Sequence, residues 1–77
     1  MLDAALDHLV RGVVDNPDDV DVRATQQGSN QVLRVRVNSA DRGRVIGRGG
    51  RTINALRTVV EALDSNGNGR IRIELAE

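Results

Sequence analysis

"RGRVIGRGGRTINAL", residues 42–56, holds four of the eight glycines and four of the eleven arginines in a chain of 77 residues. Three of those glycines, Gly47, Gly49 and Gly50, fall within four residues. A helical apolar pattern ends on Val45 and Ile46 just before them. A second begins just after them, where Ile53, Leu56, Val60 and Leu63 step by 3, 4 and 3. The chain thus sets a flexible, basic, side-chain-poor break between two helices, and the rest of the fold is arranged around it.

Toward the N-terminus, Ser39 is a suitable N-cap for a short helix over residues 40–46. Ahead of it "VLRVRV" alternates, with Leu33, Val35 and Val37 on one side and Arg34 and Arg36 on the other. "QQGSN", residues 26–30, marks a turn, and before it Val20, Val22 and Ala24 alternate with Asp21 and Arg23. The two alternating segments make a hairpin. Leu2, Leu6, Leu9 and Val13, with Ala5 and Val10 beside them, form one face of an amphipathic helix over residues 2–14. Asn16-Pro17 ends it, because the residue before proline is pushed out of the helical region. Toward the C-terminus "SNGNG" closes the second loop-flanking helix. The last strand, "RIRIEL", sets Ile71, Ile73 and Leu75 against Arg70, Arg72 and Glu74.

The order αββααβ predicts an α+β fold in a single domain spanning residues 1–77, with no repeat, linker or low-complexity tail. Strands that alternate cleanly bury one sheet face and wet the other, so three helices are expected to cover the apolar face. About thirty residues with two helices separate the last two strands, a connection long enough for parallel pairing with a right-handed crossover. A three-stranded mixed sheet follows. Compact-domain scaling gives a radius of gyration of roughly 11–12 Å.

Composition removes several function classes. With no cysteine there is neither a disulfide nor a thiolate metal site. With no Phe, Tyr or Trp the core is Leu, Ile, Val and Ala. No apolar run approaches the ~18 residues of a membrane span, and the N-terminus is acidic, unlike a secretory leader. The expectation is a cytoplasmic protein without a membrane partner. The net charge of zero conceals a strong polarity: residues 1–21 carry six Asp and one Arg, whereas residues 34–57 carry seven Arg and one Asp. Such a dipole steers an anion to one side of the molecule. Every basic residue is Arg, whose planar fork fits phosphate in a bidentate manner. Compositional bias accounts for the missing Lys, and function for the clustering.

Capping and close packing account for one or two of the loop glycines. They do not account for Arg48 at the tip with Arg42, Arg44 and Arg51 around it. Glycines let backbone approach a ligand closely, and the following helix points its unpaired N–H groups and positive dipole end at the same place. Phosphate suits that geometry. A P-loop needs a lysine, which the chain lacks, and "GRGGRT" has the wrong spacing for a dinucleotide fingerprint and follows a helix.

"VIGRGGRTINAL" resembles the KH-domain signature, V-I-G-x-x-G followed by Ile three residues on and Leu three after that: Val45, Ile46, Gly47, Arg48, Gly49, Gly50, Ile53 and Leu56. The αββααβ order resembles the type II arrangement of that domain, and the whole chain is similar to the small stand-alone bacterial KH proteins of the KhpA kind. The resemblance implies a GXXG loop, residues 47–50, that clamps about four nucleotides of single-stranded RNA or DNA. Gly47 and Gly50 would be its defining glycines, and Arg48 and Gly49 its variable positions against phosphate and sugar. Val45, Ile46 and Ile53 would floor an apolar base groove or serve the core, and Arg44 and Arg51 would reach neighbouring phosphates. The implied role is post-transcriptional regulation or RNA chaperoning. The implied partners are single-stranded RNA, a second copy of the chain, and a larger Jag-like KH protein. A protein-interaction subunit that docks a larger RNA-binding partner is the alternative, although a degenerate loop would be expected there. No aromatic is available for base stacking.

Other features are read more plainly. Arg34, Arg36, Arg70 and Arg72 fall on the wet sheet face, either as a solvated surface paired with Asp21 and Glu74 or as a second RNA surface. Asp15, Asp18, Asp19 and Asp21 lack the glycine and terminal Glu of a calcium loop and suit a turn. His8 has no convergent carboxylate or nucleophile beside it in the sequence. The expectation is a binding protein with no catalytic residues, no metal and no cofactor.

Overall fold

The computed structural model describes residues 2–64 and 71–76. Its elements follow the expected order: α1 (Leu2–Arg11), β1 (Asp21–Gln27), β2 (Asn30–Arg36), α2 (Arg42–Ile46), α3 (Arg51–Leu63) and β3 (Ile71–Leu75). Single 3-10 turns at Pro17–Asp19, Ser39–Asp41 and Arg48–Gly50 join them. Arg70 and the "SNGNG" stretch, to which sequence reading assigned a strand start and a helix stop, lie outside the described residues. The radius of gyration is 11.8 Å, within the range expected from length.

The sheet runs β1-β2-β3, with β2 antiparallel to β1 and parallel to β3. The hairpin closes through Gly28 and Ser29, with Gly28 at φ 61°, the position where a II′ hairpin turn requires positive φ. Strand alternation sends Leu33 and Val35 of the central strand to one face, in register with Ala24 and Val22 of β1 and with Ile73 and Leu75 of β3. The helices meet that face. Leu6 and Val10 of α1, Val45 of α2, and Leu56 and Val60 of α3 share one buried cluster with Leu33, Val35 and Ile71. The mixed sheet with three α-helices on one face is therefore as the pattern predicts. On the wet face Asp21 pairs with Arg23 and Glu74 lies 4.0 Å from Arg72. Arg34 and Arg36, expected to share those carboxylates, form no ion pair among the described residues.

Two helix starts and stops differ from the expectation, each for a local reason. α1 stops at Arg11 rather than continuing to 14. At Gly12 the chain turns, its N–H shared between the His8 and Leu9 carbonyls, and the Arg11 guanidinium donates to the carbonyls of Pro17 and Val20, drawing the connection back. The turn brings Val14, in place of Val13, against the core. The second difference is the cap before α2. Asn38, not Ser39, caps the 3-10 turn that precedes the helix, its Oδ1 accepting the Ala40 N–H at 2.9 Å, and α2 itself starts without a side-chain cap.

The last residue of that turn, Asp41, is 2% exposed. Its carboxylate accepts the Asp15 N–H at 3.2 Å, and the Asn16 N–H and Nδ2 at 3.0 Å each. A buried charge needs such partners, and here they tie the α1–β1 connection to the start of α2. Arg42 adds a second tie, donating to the Ala76 carbonyl just beyond β3 at 3.1 Å. Burial pushes the Asp41 carboxyl upward. The Asn16 side chain, the Asp15 and Asn16 N–H groups and the Arg44 charge outweigh it and hold the pKa below its ordinary 3.8. A carboxyl lowered on folding stabilises fully above the unfolded-state value and loses that contribution as pH falls through the folded-state value. Urea unfolding of the parent and of Asp41→Asn is therefore expected to show the variant less stable near neutrality. The gap should narrow from about pH 5 to pH 3. A constant gap across that window would detach the acid sensitivity from Asp41.

Candidate nucleic-acid interface

α2 ends on Gly47, whose N–H donates to the Gly43 carbonyl at 2.8 Å. Gly47 itself has φ 76° and ψ 170°, a region essentially confined to glycine. A Cβ there would collide with the Thr52 hydroxyl and would come within 2.7 Å of the Thr52 backbone N. Gly47 thus lies against the first turn of α3 with no room for a side chain. Gly49 turns the chain at φ 65° and ψ 19°, and a Cβ built on it meets nothing within 4 Å. Gly50 precedes α3, donates to the Gly47 carbonyl at 3.2 Å, and offers no side-chain cap to the first-turn amides of α3. The first of those amides, Arg51 N–H, donates back to the Arg48 carbonyl, and the set stands beside the exposed tip, Arg48 and Gly49. Such a helix end favours an anion.

The other residues singled out from the sequence separate into three groups. Arg51 is exposed beside the loop, and neither it nor Arg48 forms an ion pair among the described residues. Arg44 is committed elsewhere: its Nη1 donates to Asp15 Oδ1 at 3.2 Å, an exposed pair of the kind that holds weakly. Of the apolar three, Val45 is buried in the core and presents no surface to a base. Ile46 is 38% exposed at the end of α2. Ile53 is half-buried and lines an open groove of about 240 Å³ between α3 and β3.

That groove contains residues to which the sequence reading gave no site role. Ile53, Asn54 and Arg57 line it from α3, and Ile71, Arg72 and Ile73 from β3. The helix side carried a signal, since Asn54 and Arg57 follow Gly50 and Ile53 by one turn. On the β3 side the sequence marks Arg72 only with the wet sheet face, and the placement of the strand beside α3 is a tertiary outcome. Isoleucines give the groove an apolar surface. Its two cations are loosely held, Arg57 at 3.9 Å from Glu61 and Arg72 at 4.0 Å from Glu74, all at least 42% exposed in side chain. A phosphate seat at a helix N-terminus, next to an apolar groove rimmed by arginine, can hold one nucleic-acid backbone and accept unstacked bases.

A helix–GXXG–helix unit packed on a three-stranded mixed sheet in the order αββααβ defines a KH domain. Residues 3–75 match the family described as "KhpA/KhpB, KH domain", and the chain belongs to that family. It is 52% identical over 77 residues to the Streptomyces coelicolor protein named RNA-binding protein KhpA, covering the whole chain and 94% of that relative. Its identity to the Leifsonia xyli protein of the same name is 53%, over the whole chain and 99% of the relative. The Mycobacterium tuberculosis namesake is 47% identical over 73 residues, 95% of this chain and 88% of the relative. Among solved structures, Aquifex aeolicus Era bound to GDP and aluminium fluoride shares the fold at a TM-score of 0.66 and 12% identity, over 96% of this chain and 29% of Era.

The loop geometry separates two glycines that look alike in the sequence. Gly47→Ala meets both a glycine-only backbone and the Thr52 backbone, and is expected to cost about 3 kcal/mol or more of stability. Gly49→Ala faces open space and bears the left-handed backbone penalty alone, about 1–2 kcal/mol. Urea denaturation of the two variants reads the difference, and equal losses would refute the close approach at Gly47.

Proposed function

We propose that this chain binds single-stranded RNA in the cytoplasm as a post-transcriptional regulator or RNA chaperone, and that it is a binding module rather than an enzyme. One observation carries the reading. The tip of the loop, Arg48 and Gly49, is exposed and uncommitted, while the backbone beneath it is held where glycine alone fits. A fold that needed Gly47 solely as a cap would have no use for an unpaired guanidinium at the tip. The relatives named RNA-binding proteins support the same ligand.

In this mechanism the α3 amides, with Arg48 and Arg51, take two or three phosphates. Gly49 lets the sugar–phosphate backbone lie against the loop. The bases turn toward Ile53 and Ile73, with Ile71 buried beneath them, and Arg57 and Arg72 hold the rim. Val45 acts from within the core by fixing α2. Arg44 contributes through Asp15 and Asp41, and reaches phosphate after releasing Asp15. A duplex offers no unstacked bases to such a groove, so single strands are preferred.

Arg48→Asp with Gly49→Asp tests the reading. Both sites are exposed, and Asp is among the residues that tolerate the left-handed conformation of position 49. The variant is expected to fold, by circular dichroism, and to bind single-stranded RNA at least tenfold more weakly, a change of ~1.4 kcal/mol. The parent's log–log salt slope at the loop is expected near −1.4 to −2.1, from two or three phosphates at ~0.7 each. Unchanged RNA affinity in the folded variant would reduce the glycines to caps.

A second reading has its own observation. Val59 and Leu63 are 43% and 55% exposed one turn apart on α3, an apolar strip suited to a second copy or to a larger Jag-like KH protein. Pairing would join two weak sites and raise the effective concentration of the second. Sedimentation of the parent against Val59→Asp is expected to show self-association lost in the variant. A monomer at every parent concentration would remove the homodimer.

A further inference from the structure

The sheet face turned away from the helices is cationic beyond what folding requires. Strand register places Asp21 and Arg23, then Val32, Arg34 and Arg36, then Arg72 and Glu74 on that face, four arginines to two carboxylates. Arg23 stands directly opposite Arg34, and like charges so placed cost stability. Asp21 stands opposite Arg36, yet its Oδ2 accepts Arg23 Nε at 3.0 Å. Arg34 and Arg36 are left exposed, without an ion pair among the described residues. Asp21, Arg23, Arg34, Arg36 and Ala76 enclose a shallow concavity of about 320 Å³. Beside it Val32 is 4% exposed although it lies outside the helix-side core. Long side-chain stems cover such a residue while their charged heads stay in solvent.

Arg72 links this face to the groove. Register sets it on the outer face next to Val32, and because β3 is an edge strand it also lines the α3–β3 groove. Neighbouring strands are ~4.8 Å apart, so a chain crossing the β3 edge at Arg72 meets the β2 arginines one strand further on.

We propose that the outer sheet face is a second RNA-backbone site, with Arg34 and Arg36 as its cations and Arg72 as the bridge, so that a bound strand continues from the groove around the β3 edge. The proposal rests on the RNA-binding reading above and extends its footprint. RNA is the occupant chosen by charge: the concavity has three guanidiniums against one carboxylate, and Arg34 and Arg36 are free to take phosphates in their bidentate geometry.

The test uses single-stranded oligonucleotides of about five and about twelve residues, read by NMR titration and fluorescence anisotropy respectively. The variants are Arg34→Gln with Arg36→Gln, and the charge-preserving pair Arg34→Lys with Arg36→Lys. The Gln variant is expected to bind the short strand as the parent does. It should lose at least about fivefold for the long one, with a salt slope shallower by about 1.4, two contacts at ~0.7 each. The Lys variant is expected to keep most of that slope. Unchanged long-strand affinity and slope in the folded Gln variant would overturn the proposal. So would altered self-association with unchanged RNA affinity, which would assign the face to the acidic side of a second copy. Failure of the loop reading is visible separately, as short-strand binding that survives Arg48→Asp with Gly49→Asp.

Discussion

Between Gly47 and Thr52 there is no room for a single carbon, and that contact limits how α2 can meet α3. α2 has five residues, too few to persist as an isolated helix. Its position is imposed from outside at four points: Asp41 bound to Asp15 and Asn16, Arg42 to the Ala76 carbonyl, Val45 in the core, and Gly47 against α3. Two of these ties reach distant segments, the α1–β1 connection and the end of β3. The loop is therefore presented by the whole fold, which leaves Arg48 and Gly49 free of structural duty.

The same division runs through the charges. Buried polarity is confined to Asp41 among the buried residues described, and it is fully hydrogen-bonded. The arginines stay outside. Those that serve the fold do so by bonding carbonyls, as Arg11 and Arg42 do. Among the described residues, the remainder hold exposed carboxylates at 3 to 4 Å or form no ion pair. Exposed pairs contribute little to stability, so an incoming phosphate can take over these guanidiniums at small cost to the fold. The acidic N-terminal segment is tied into the same arrangement by Asp15, which donates its N–H to Asp41 and accepts from Arg44, and by Asp19, which accepts from Asn38 Nδ2 at 2.9 Å.

Periodicity made the element order and the sheet legible. Leu33 and Val35 alternate with Arg34 and Arg36, and Leu56 and Val60 lie one turn apart, so each apolar residue had one face to occupy. The loop was legible because glycine clusters and arginine clusters have separate physical uses that coincide there. What escaped was set by distance in sequence. The role of Asp41 depends on Asn16, 25 residues away, and no local pattern marks a buried carboxylate. The cap at Asn38 in place of Ser39 is a choice between adjacent residues of equal aptitude, settled by which carbonyl and amide the 3-10 turn brings together. Val45 and Ile46 are neighbours in the same motif, yet one faces the core and the other solvent, a distinction that helix phase in five residues leaves open. The β3 wall of the groove needed the parallel pairing to be in place before Ile71 and Ile73 could be set beside Ile53.

A chain without Phe, Tyr or Trp must hold RNA differently from most single-strand binders. Stacking on an aromatic contributes ~1–3 kcal/mol per base and tolerates any sequence. In the proposed groove bases would meet isoleucine surfaces and arginine planes, which favour contact over discrimination. Affinity then comes chiefly from phosphates, and phosphate contacts add with the length of backbone engaged rather than with its sequence. Few such contacts fit around a four-residue loop. Useful binding therefore requires more backbone, reached by a second copy of the domain or by a second face of the same one. Arg34 and Arg36 on the outer sheet, without an ion pair among the described residues and joined to the groove through Arg72, are placed where the second of these solutions would need them.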